Sequence, residues 1–124
     1  MDCKDCTDNQ KSTIEYLKKV NEELQAENNR INEVIPMLKK FRDDRDWMRF
    51  HTPENLAKSI SIEAGELLEL YQWNSDPVID DVEKELADVL IYCYNLAIVL
   101  NVDPVEIMKR KISLNNIKYP VNIS

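Results

Sequence analysis

Residues 53–71 of the chain, PENLAKSISIEAGELLELY, predict an amphipathic helix that begins after Thr52. Thr followed by Pro and Glu is typical of a helix N-cap and first turn. At about 100° per residue one face is apolar; Glu63 falls inside that face, Glu66 lies at its margin, and Glu69 points to solvent. The apolar face consists of Leu56, Ile60, Ala64, Leu67, Leu70 and Tyr71. Because a buried carboxylate is unstable unless it is paired or binds metal, Glu63 is a candidate functional residue.

A second helix with unexpected acids is predicted from residue 80 to residue 100. Residues 86–100 are apolar nearly all round, which is typical of a helix enclosed by other helices or by a partner subunit. Asp88 is therefore expected to be buried. Glu85 and Asp88 project on one side of this helix, without enough nearby Lys or Arg to neutralise them.

The two acidic pairs predict a metal site. If the two helices pack antiparallel, as a short connection favours, their carboxylates converge and repel one another unless a divalent cation lies between them. A single E-x-x-E is ordinarily an acidic helix face, but two such pairs on neighbouring helices favour metal binding. Ligation by oxygen alone favours Mg²⁺ or Mn²⁺ over Zn²⁺. Because such ions recruit phosphates, the sequence predicts hydrolysis of a phosphate ester or anhydride. The predicted ligands are Glu63, Glu66, Glu85 and Asp88.

The composition excludes several other functions. The chain has 124 residues, a formal net charge of -7, one glycine and one histidine. One glycine cannot form a P-loop or a dinucleotide-binding loop, and one histidine excludes a multi-histidine zinc site. An acidic chain is a poor match for nucleic acid or an anionic membrane. No apolar run reaches the roughly 20 residues of a membrane span, and the N-terminus is too polar for a signal peptide, so we expect a cytoplasmic protein.

The remaining regions complete a predicted all-α bundle, with a four-helix core in a domain at residues 36–124. Residues 1–12 predict a disordered tail, in which Cys3 and Cys6 are interpreted as ordinary thiols. Residues 13–35 show heptad spacing and predict a helical, coiled-coil-like extension that self-associates or packs on its own domain.

A proline and two turns divide the rest of the chain. Pro36 is expected to kink the first helix or to start a second one, over residues 36–47. The last helix is predicted over residues 104–117. The cationic side chains of this helix and a neighbouring amide are candidates to bind phosphate. Alternatively, the cations only stabilise the helix, because positive charge is favourable near a helix C-terminus. Aromatic residues flank the acidic helices and would stack on a nucleobase or form core.

Four sequence blocks, in order, resemble the MazG-like all-α nucleoside triphosphate pyrophosphohydrolases, and within them most closely the dCTP pyrophosphatase branch. The blocks are FRDDRDWMRFH at 41–51, EAGE at 63–66 followed by YQW at 71–73, ELADVLIY at 85–92, and K-x-x-x-N-x-x-K-Y-P at 111–120. Lys118 stands where an Arg is common, and the heptad segment is a second departure from the family.

The resemblance implies hydrolysis between the α and β phosphates, giving a nucleoside monophosphate and pyrophosphate, with dCTP or modified dCTP as favoured substrates. It implies Mg²⁺ on the four acids named above, a metal-activated water as nucleophile, and Glu66 as a candidate proton acceptor. Family positions that contact phosphates match Lys111 and Asn115. Positions near the base and sugar match Trp47, His51, Trp73 and Tyr92. His51 would then hydrogen-bond or stack, and the chain would form a homodimer or homotetramer.

Two alternatives remain open at this stage. One is a related pyrophosphohydrolase for another nucleotide, such as dUTP or phosphoribosyl-ATP, which would use the same metal site. The other is a non-catalytic helical protein in which the heptads drive oligomerisation. A panel of nucleotides distinguishes the first alternative, and binding of metal and nucleotide distinguishes the second.

Overall fold

The computed structural model describes residues 3–122, and these residues form helices joined by turns. The helices are α1 (Cys3–Asp44), α2 (Pro53–Tyr71), α3 (Ile79–Leu100) and α4 (Pro104–Lys118), with one 3-10 turn at Met48–Phe50. No strand occurs among the described residues, so the prediction of an all-α chain is confirmed. The chain divides into two compact units, Met1–Lys40 and Phe41–Ser124.

Helices α2, α3 and α4 begin and end close to the predicted residues. The Thr52 hydroxyl accepts a hydrogen bond from the backbone N–H of Asn55 at 3.2 Å, which confirms the predicted N-cap of α2. At the end of α3, Asn101 adopts a left-handed conformation with φ of 54°, which turns the chain. Asp103 then caps α4 by accepting from the N–H of Val105 at 2.9 Å. These short-range contacts explain why local sequence places the helices well.

The prediction for α1 requires a correction. Pro36 lies inside one helix that continues to Asp44, so residues 36–47 are not a separate helix. A helix beginning at Pro36 would need a capping residue at position 35, and Ile35 has no side-chain acceptor. Helix also covers residues 3–12, where a disordered tail is predicted; that segment contains no glycine or proline to interrupt it. The two compact units divide after Lys40, and the predicted domain of residues 36–124 stays a prediction.

The α1 helix ends in a Schellman motif. Asp46 takes the left-handed position with φ of 53°. The N–H of Trp47 donates to the Arg42 carbonyl at 3.0 Å, and the N–H of Asp46 donates to the Asp43 carbonyl at 3.1 Å. This pair of bonds defines the motif, and it fixes the direction in which the chain leaves the helix.

The heptad segment lies in the first unit, with apolar side chains on its surface. Ile14, Leu17 and Leu24 are each more than half exposed. The side chains of the predicted seam residues Asn28 and Ile31 lie outside the described residues. The coiled-coil interpretation of residues 13–35 therefore stays a prediction.

Burial within the second unit is concentrated where α2 and α3 pack together. Leu56 on α2 is 1% exposed and Ala97 on α3 is 6% exposed. The chain's own helices do not enclose the rest of α3, because Leu86, Leu90 and Leu100 are each at least 45% exposed; enclosure by a partner subunit stays a prediction. An apolar surface on this helix is therefore left uncovered by the chain itself.

No single helix among residues 3–122 is long and apolar enough to cross a membrane. Taken together, α3 and α4 are long and apolar enough by length and composition alone, but they are bent by 100° relative to each other.

Candidate metal centre and substrate cleft

Three of the four predicted ligands come together where α2 faces α3. One carboxylate oxygen from each of Glu63, Glu66 and Glu85 lies within 4.8 Å of the others. We call these residues the carboxylate cluster. Glu63 and Glu66 are one helical turn apart, so their side chains leave the same side of α2. The cluster therefore follows from helical spacing on α2 and from the packing of α2 against α3.

Asp88 is the fourth predicted ligand, and it stands next to this cluster rather than inside it. It is one turn beyond Glu85 on α3, and its negative charge raises the pKa values of Glu63 and Glu85. The prediction that Asp88 is buried is wrong, because its side chain is half-buried. The apolar surroundings that suggested burial are themselves exposed along much of α3.

The cluster holds negative charge at an energetic cost. The pKa of Glu63 is raised to about 7, first by loss of solvent and then by a hydrogen bond with Glu66. The charges of Glu66, Asp88 and Glu85 add to the same shift. Loss of solvent also raises the pKa of Glu85, followed by the charge of Glu66. These shifts show carboxylates that repel one another, which is the electrostatic situation that a bound cation relieves.

Two carboxylate oxygens of the cluster are suited to bind a cation. Glu63 Oε2 and Glu85 Oε2 are buried, and neither has a hydrogen-bond partner among the described residues. A buried acceptor without a partner is unstable unless something outside the chain satisfies it. Carboxylate oxygens are hard ligands of the kind that Mg²⁺ and Mn²⁺ prefer. The residues present therefore fit a divalent cation held between α2 and α3.

A cleft of about 420 Å³ lies between the turn after α1, the start of α2 and the middle of α3. We call it the aromatic cleft. It brings together three predicted substrate residues: Trp47 and His51, which flank the 3-10 turn, and Tyr92 on α3. The other lining residues are Phe50, Asn55, Leu56, Lys58 and Ser59.

His51 presents an unsatisfied nitrogen in this cleft. Its Nδ1 is buried and has no hydrogen-bond partner among the described residues. Partial burial lowers the pKa of His51, and the positive charge of Arg42 lowers it further. The imidazole is therefore neutral near pH 7 and suited to hydrogen bonding with a ligand.

Trp73 lies apart from the other predicted aromatic residues. It lines a second cleft of about 460 Å³, which we call the acidic cleft, together with Glu66, Glu69 and Glu85. The remaining lining residues are Leu70 and Gln72. The Trp73 ring is 90% exposed, so the chain leaves both of its faces accessible. Glu69 is exposed, as predicted, and forms part of the wall of this cleft.

Lys111 and Asn115 lie on α4 and line neither cleft. Lys111 is exposed and Asn115 is half-buried. The structure therefore does not bring these two predicted phosphate contacts into either cleft.

Sequence reasoning missed three polar residues of the aromatic cleft, namely Asn55, Lys58 and Ser59. Asn55 Nδ2 donates to the Phe50 carbonyl at 3.1 Å and so ties the 3-10 turn to α2. A signal for two of them was present, because positions 55 and 59 precede Glu63 by eight and four residues on α2. At about 100° per residue all three lie on one side of the helix.

The fold and the site together define an all-α protein with a helix-borne carboxylate site suited to a divalent cation, beside an aromatic cleft. A sequence model of the MazG-like family matches residues 58–124. The chain belongs to the MazG-like family.

Similar proteins carry names that agree with this assignment. The chain is 38% identical to mouse (Mus musculus) dCTP pyrophosphatase 1 and 35% identical to the human (Homo sapiens) protein, each over 95 residues. Those matches cover 68% of this chain and 56% of each relative, so the chain spans little more than half of their length. A crystal structure of a pyrophosphatase from Archaeoglobus fulgidus matches with a TM-score of 0.69 and 44% identity, covering 73% of this chain and 93% of that one.

Proposed function

We propose that the chain is a metal-dependent nucleoside triphosphate pyrophosphohydrolase, which cleaves its substrate to the nucleoside monophosphate and pyrophosphate. The observation that carries the proposal is the carboxylate cluster with its two buried, unpartnered oxygens. The names of the mouse, human and archaeal relatives support the same reaction.

In this proposal Glu63, Glu66, Glu85 and Asp88 hold Mg²⁺, with Mn²⁺ as a substitute. When bound, such an ion neutralises triphosphate charge and lowers the pKa of a water molecule that it coordinates. Asp88 contributes by its charge next to the cluster, or as a ligand after a change of side-chain rotamer. Glu66 is exposed, so it is the member of the cluster best placed to accept a proton from water.

The aromatic cleft is the proposed site for the base and sugar. Trp47 and Tyr92 stack on or flank the rings, and neutral His51 hydrogen-bonds through Nδ1. Trp73 is next to Glu66 and Glu85 in the acidic cleft, so we assign it to the part of the substrate nearest the metal. Lys111 and Asn115 on α4 are proposed to contact the distal phosphates, which requires α4 to close on the site or to come from a second copy of the chain.

The favoured substrates are dCTP and modified dCTP, in a reaction that removes unwanted nucleotides from the pool. Pyrophosphohydrolases for dUTP or phosphoribosyl-ATP are the alternatives with the same metal site. We place the reaction in the cytoplasm, where nucleoside triphosphates are abundant and where free thiols such as Cys93 persist.

A homodimer or homotetramer is the proposed assembly. The apolar side chains of α3 that the chain leaves exposed, including Leu86, Leu90 and Leu100, favour coverage by a second copy. A non-catalytic assembly protein is a weaker candidate, because assembly alone gives no reason to bury unpartnered carboxylate oxygens at Glu63 and Glu85.

A nucleotide panel tests the proposal. The eight common ribo- and deoxyribonucleoside triphosphates, 5-methyl-dCTP and phosphoribosyl-ATP are each incubated with Mg²⁺, and the products are separated as monophosphate and pyrophosphate. We expect one pyrophosphate per monophosphate, with dCTP or 5-methyl-dCTP cleaved fastest. Release of inorganic phosphate with a diphosphate product would contradict the proposed bond cleavage, and no product from any nucleotide would contradict the enzyme assignment.

A matched pair of variants ties the activity to the cluster. Glu85→Gln removes one charge from the cluster, while Glu83→Gln makes the same change on an exposed position of the same helix. We expect Glu85→Gln to lower kcat/KM by about 100-fold or more, and Glu83→Gln to leave it within about twofold. Equal activity of the two variants would contradict the site.

A further inference from the structure

The end of α1 brings together three side chains, Phe41, Arg45 and Trp47, and the proposed reaction uses only Trp47. The guanidinium carbon of Arg45 lies 3.5 Å from the centre of the Phe41 ring and 6.0 Å from the Trp47 ring. Phe41 and Trp47 meet edge to face, with centroids 5.6 Å apart and an interplanar angle of 73°. Arg45 therefore stacks on the Phe41 ring and lies at the outer limit of cation–π range from the Trp47 ring, which Phe41 itself contacts.

Backbone geometry places these three residues together. In the Schellman motif, the residue after the left-handed Asp46 commonly packs against a side chain of the last helical turns, and here Trp47 packs on Phe41. Arg45 is tied to the same turn, because its Nη1 donates to the Phe41 carbonyl at 3.0 Å. The guanidinium is thus fixed at one end by a hydrogen bond and lies against the ring that supports Trp47.

Trp47 needs such support. It is 40% exposed and lines the aromatic cleft, so packing leaves part of the indole open to solvent. An aromatic ring binds a base well only when it is presented at a fixed orientation, because ordering a mobile ring on binding reduces affinity.

We propose that Arg45 is a positioning residue that holds the Trp47 indole ready to stack on the base of the substrate. The identity of the ligand in this inference rests on the proposed function. The ordering of the Trp47 ring by Arg45 does not depend on that function. Arg45 lines neither the aromatic cleft nor the acidic cleft that contains Glu66 and Glu85, so its loss should weaken substrate binding and leave the chemical step unchanged.

Three variants test the inference. Arg45→Gln removes the charge and the cation–π contact, and Arg45→Lys keeps the charge but lacks the flat guanidinium. Arg30→Gln makes the same change on an exposed position of α1 in the other unit and is the matched control. We expect Arg45→Gln to raise KM by about threefold to fivefold with kcat within about twofold, Arg45→Lys to be intermediate, and Arg30→Gln to match the wild type. An unchanged KM in Arg45→Gln, or a fall in kcat alone, would overturn the proposal.

A spectroscopic measurement separates this inference from the proposed function. In a Trp73→Phe background, used for fluorescence alone, Trp47 is the one remaining tryptophan. Arg45→Gln should then increase the quenching of Trp47 by acrylamide, and equal quenching with and without Arg45 would overturn the positioning role. If the wild type cleaves no nucleotide, the proposed function fails, while quenching still decides whether Arg45 orders Trp47. Circular dichroism verifies folding, and Arg45→Lys serves for both measurements if Arg45→Gln does not fold.

Discussion

The affinity of the site for a divalent cation should depend steeply on pH, because a cation displaces the proton of Glu63. The pKa of this carboxyl is about 7, whereas an ordinary glutamate has 4.5. At pH 6 about one tenth of the Glu63 side chains are ionised, and at pH 8 about nine tenths are. Since metal binds the ionised form, the apparent association constant should rise about tenfold between pH 6 and pH 8. The raised pKa of Glu85 changes affinity in the same direction.

Isothermal titration calorimetry with Mn²⁺ or Mg²⁺ at pH 6, 7 and 8 measures this dependence. Repeating each titration in buffers of different ionisation enthalpy counts the protons released. Glu63 alone should release about 0.9 proton per ion at pH 6, about 0.5 at pH 7 and about 0.1 at pH 8. Glu63→Gln is the control variant, and we expect weaker binding with a smaller dependence on pH. An affinity that stays constant from pH 6 to pH 8, with no proton released at pH 6, would refute the electrostatic argument for this cluster.

The same shift determines how the metal-free protein responds to pH. Between pH 4.5 and about 7 the folded chain keeps a proton on Glu63 that the unfolded chain has lost. The free energy of unfolding should therefore fall as pH rises through that window, and saturating metal should remove the decline. Urea unfolding at several pH values, with and without metal, measures both effects.

Four substitutions test the packing and the helix ends. Leu56→Ala should lower the free energy of unfolding by about 2–3 kcal/mol in urea titrations, since Leu56 is 1% exposed but borders a cleft that allows relaxation. Leu68→Ala, at a position 69% exposed on the same helix, should cost less than about 0.5 kcal/mol, and an equal cost would mean that a partner covers α2. Gly65→Ala should raise the free energy of unfolding by about 0.5–1 kcal/mol, because the added Cβ meets nothing within 4 Å, and a loss would likewise reveal a covering partner. Asp46→Gly should raise the melting temperature slightly, because glycine adopts a φ of 53° without strain, and a lowered one would show that the Asp46 side chain stabilises the turn.

The helices that could be predicted from sequence are those whose ends are set by neighbouring residues. Thr52 caps α2 through a residue three positions away, and Asn101 stops α3 by its own left-handed backbone. The continuation of α1 through Pro36 was not predictable from the proline alone. A proline inside a helix removes one backbone hydrogen bond, which is a local penalty. A new helix that begins at Pro36 would instead need an N-cap side chain at position 35, and Ile35 cannot supply one.

The carboxylate cluster could be predicted because helical spacing determines from which side of a helix an acidic side chain projects. Glu63 and Glu66 share one side of α2, and Glu85 meets them from α3 within 4.8 Å. The positions of Trp47 and Trp73 could not be derived in this way, because both follow the ends of helices. Their placement depends on turn geometry, which puts Trp47 in the aromatic cleft and Trp73 in the acidic one.

The negative net charge of the chain, -7, is compatible with binding a triphosphate, which is itself negative, because of where particular acids lie. Spread over the surface, acidic side chains repel a nucleotide at long range, and salt screens that repulsion. Three acids within 4.8 Å, two of them with buried oxygens that lack partners, instead favour the uptake of a cation at close range. A cation held there presents positive charge to phosphates at the point where the chain itself is most negative. The chain can therefore do without the glycine-rich loop of backbone amides that other folds use, and its single glycine, Gly65, lies in the middle of α2 between two of those acids.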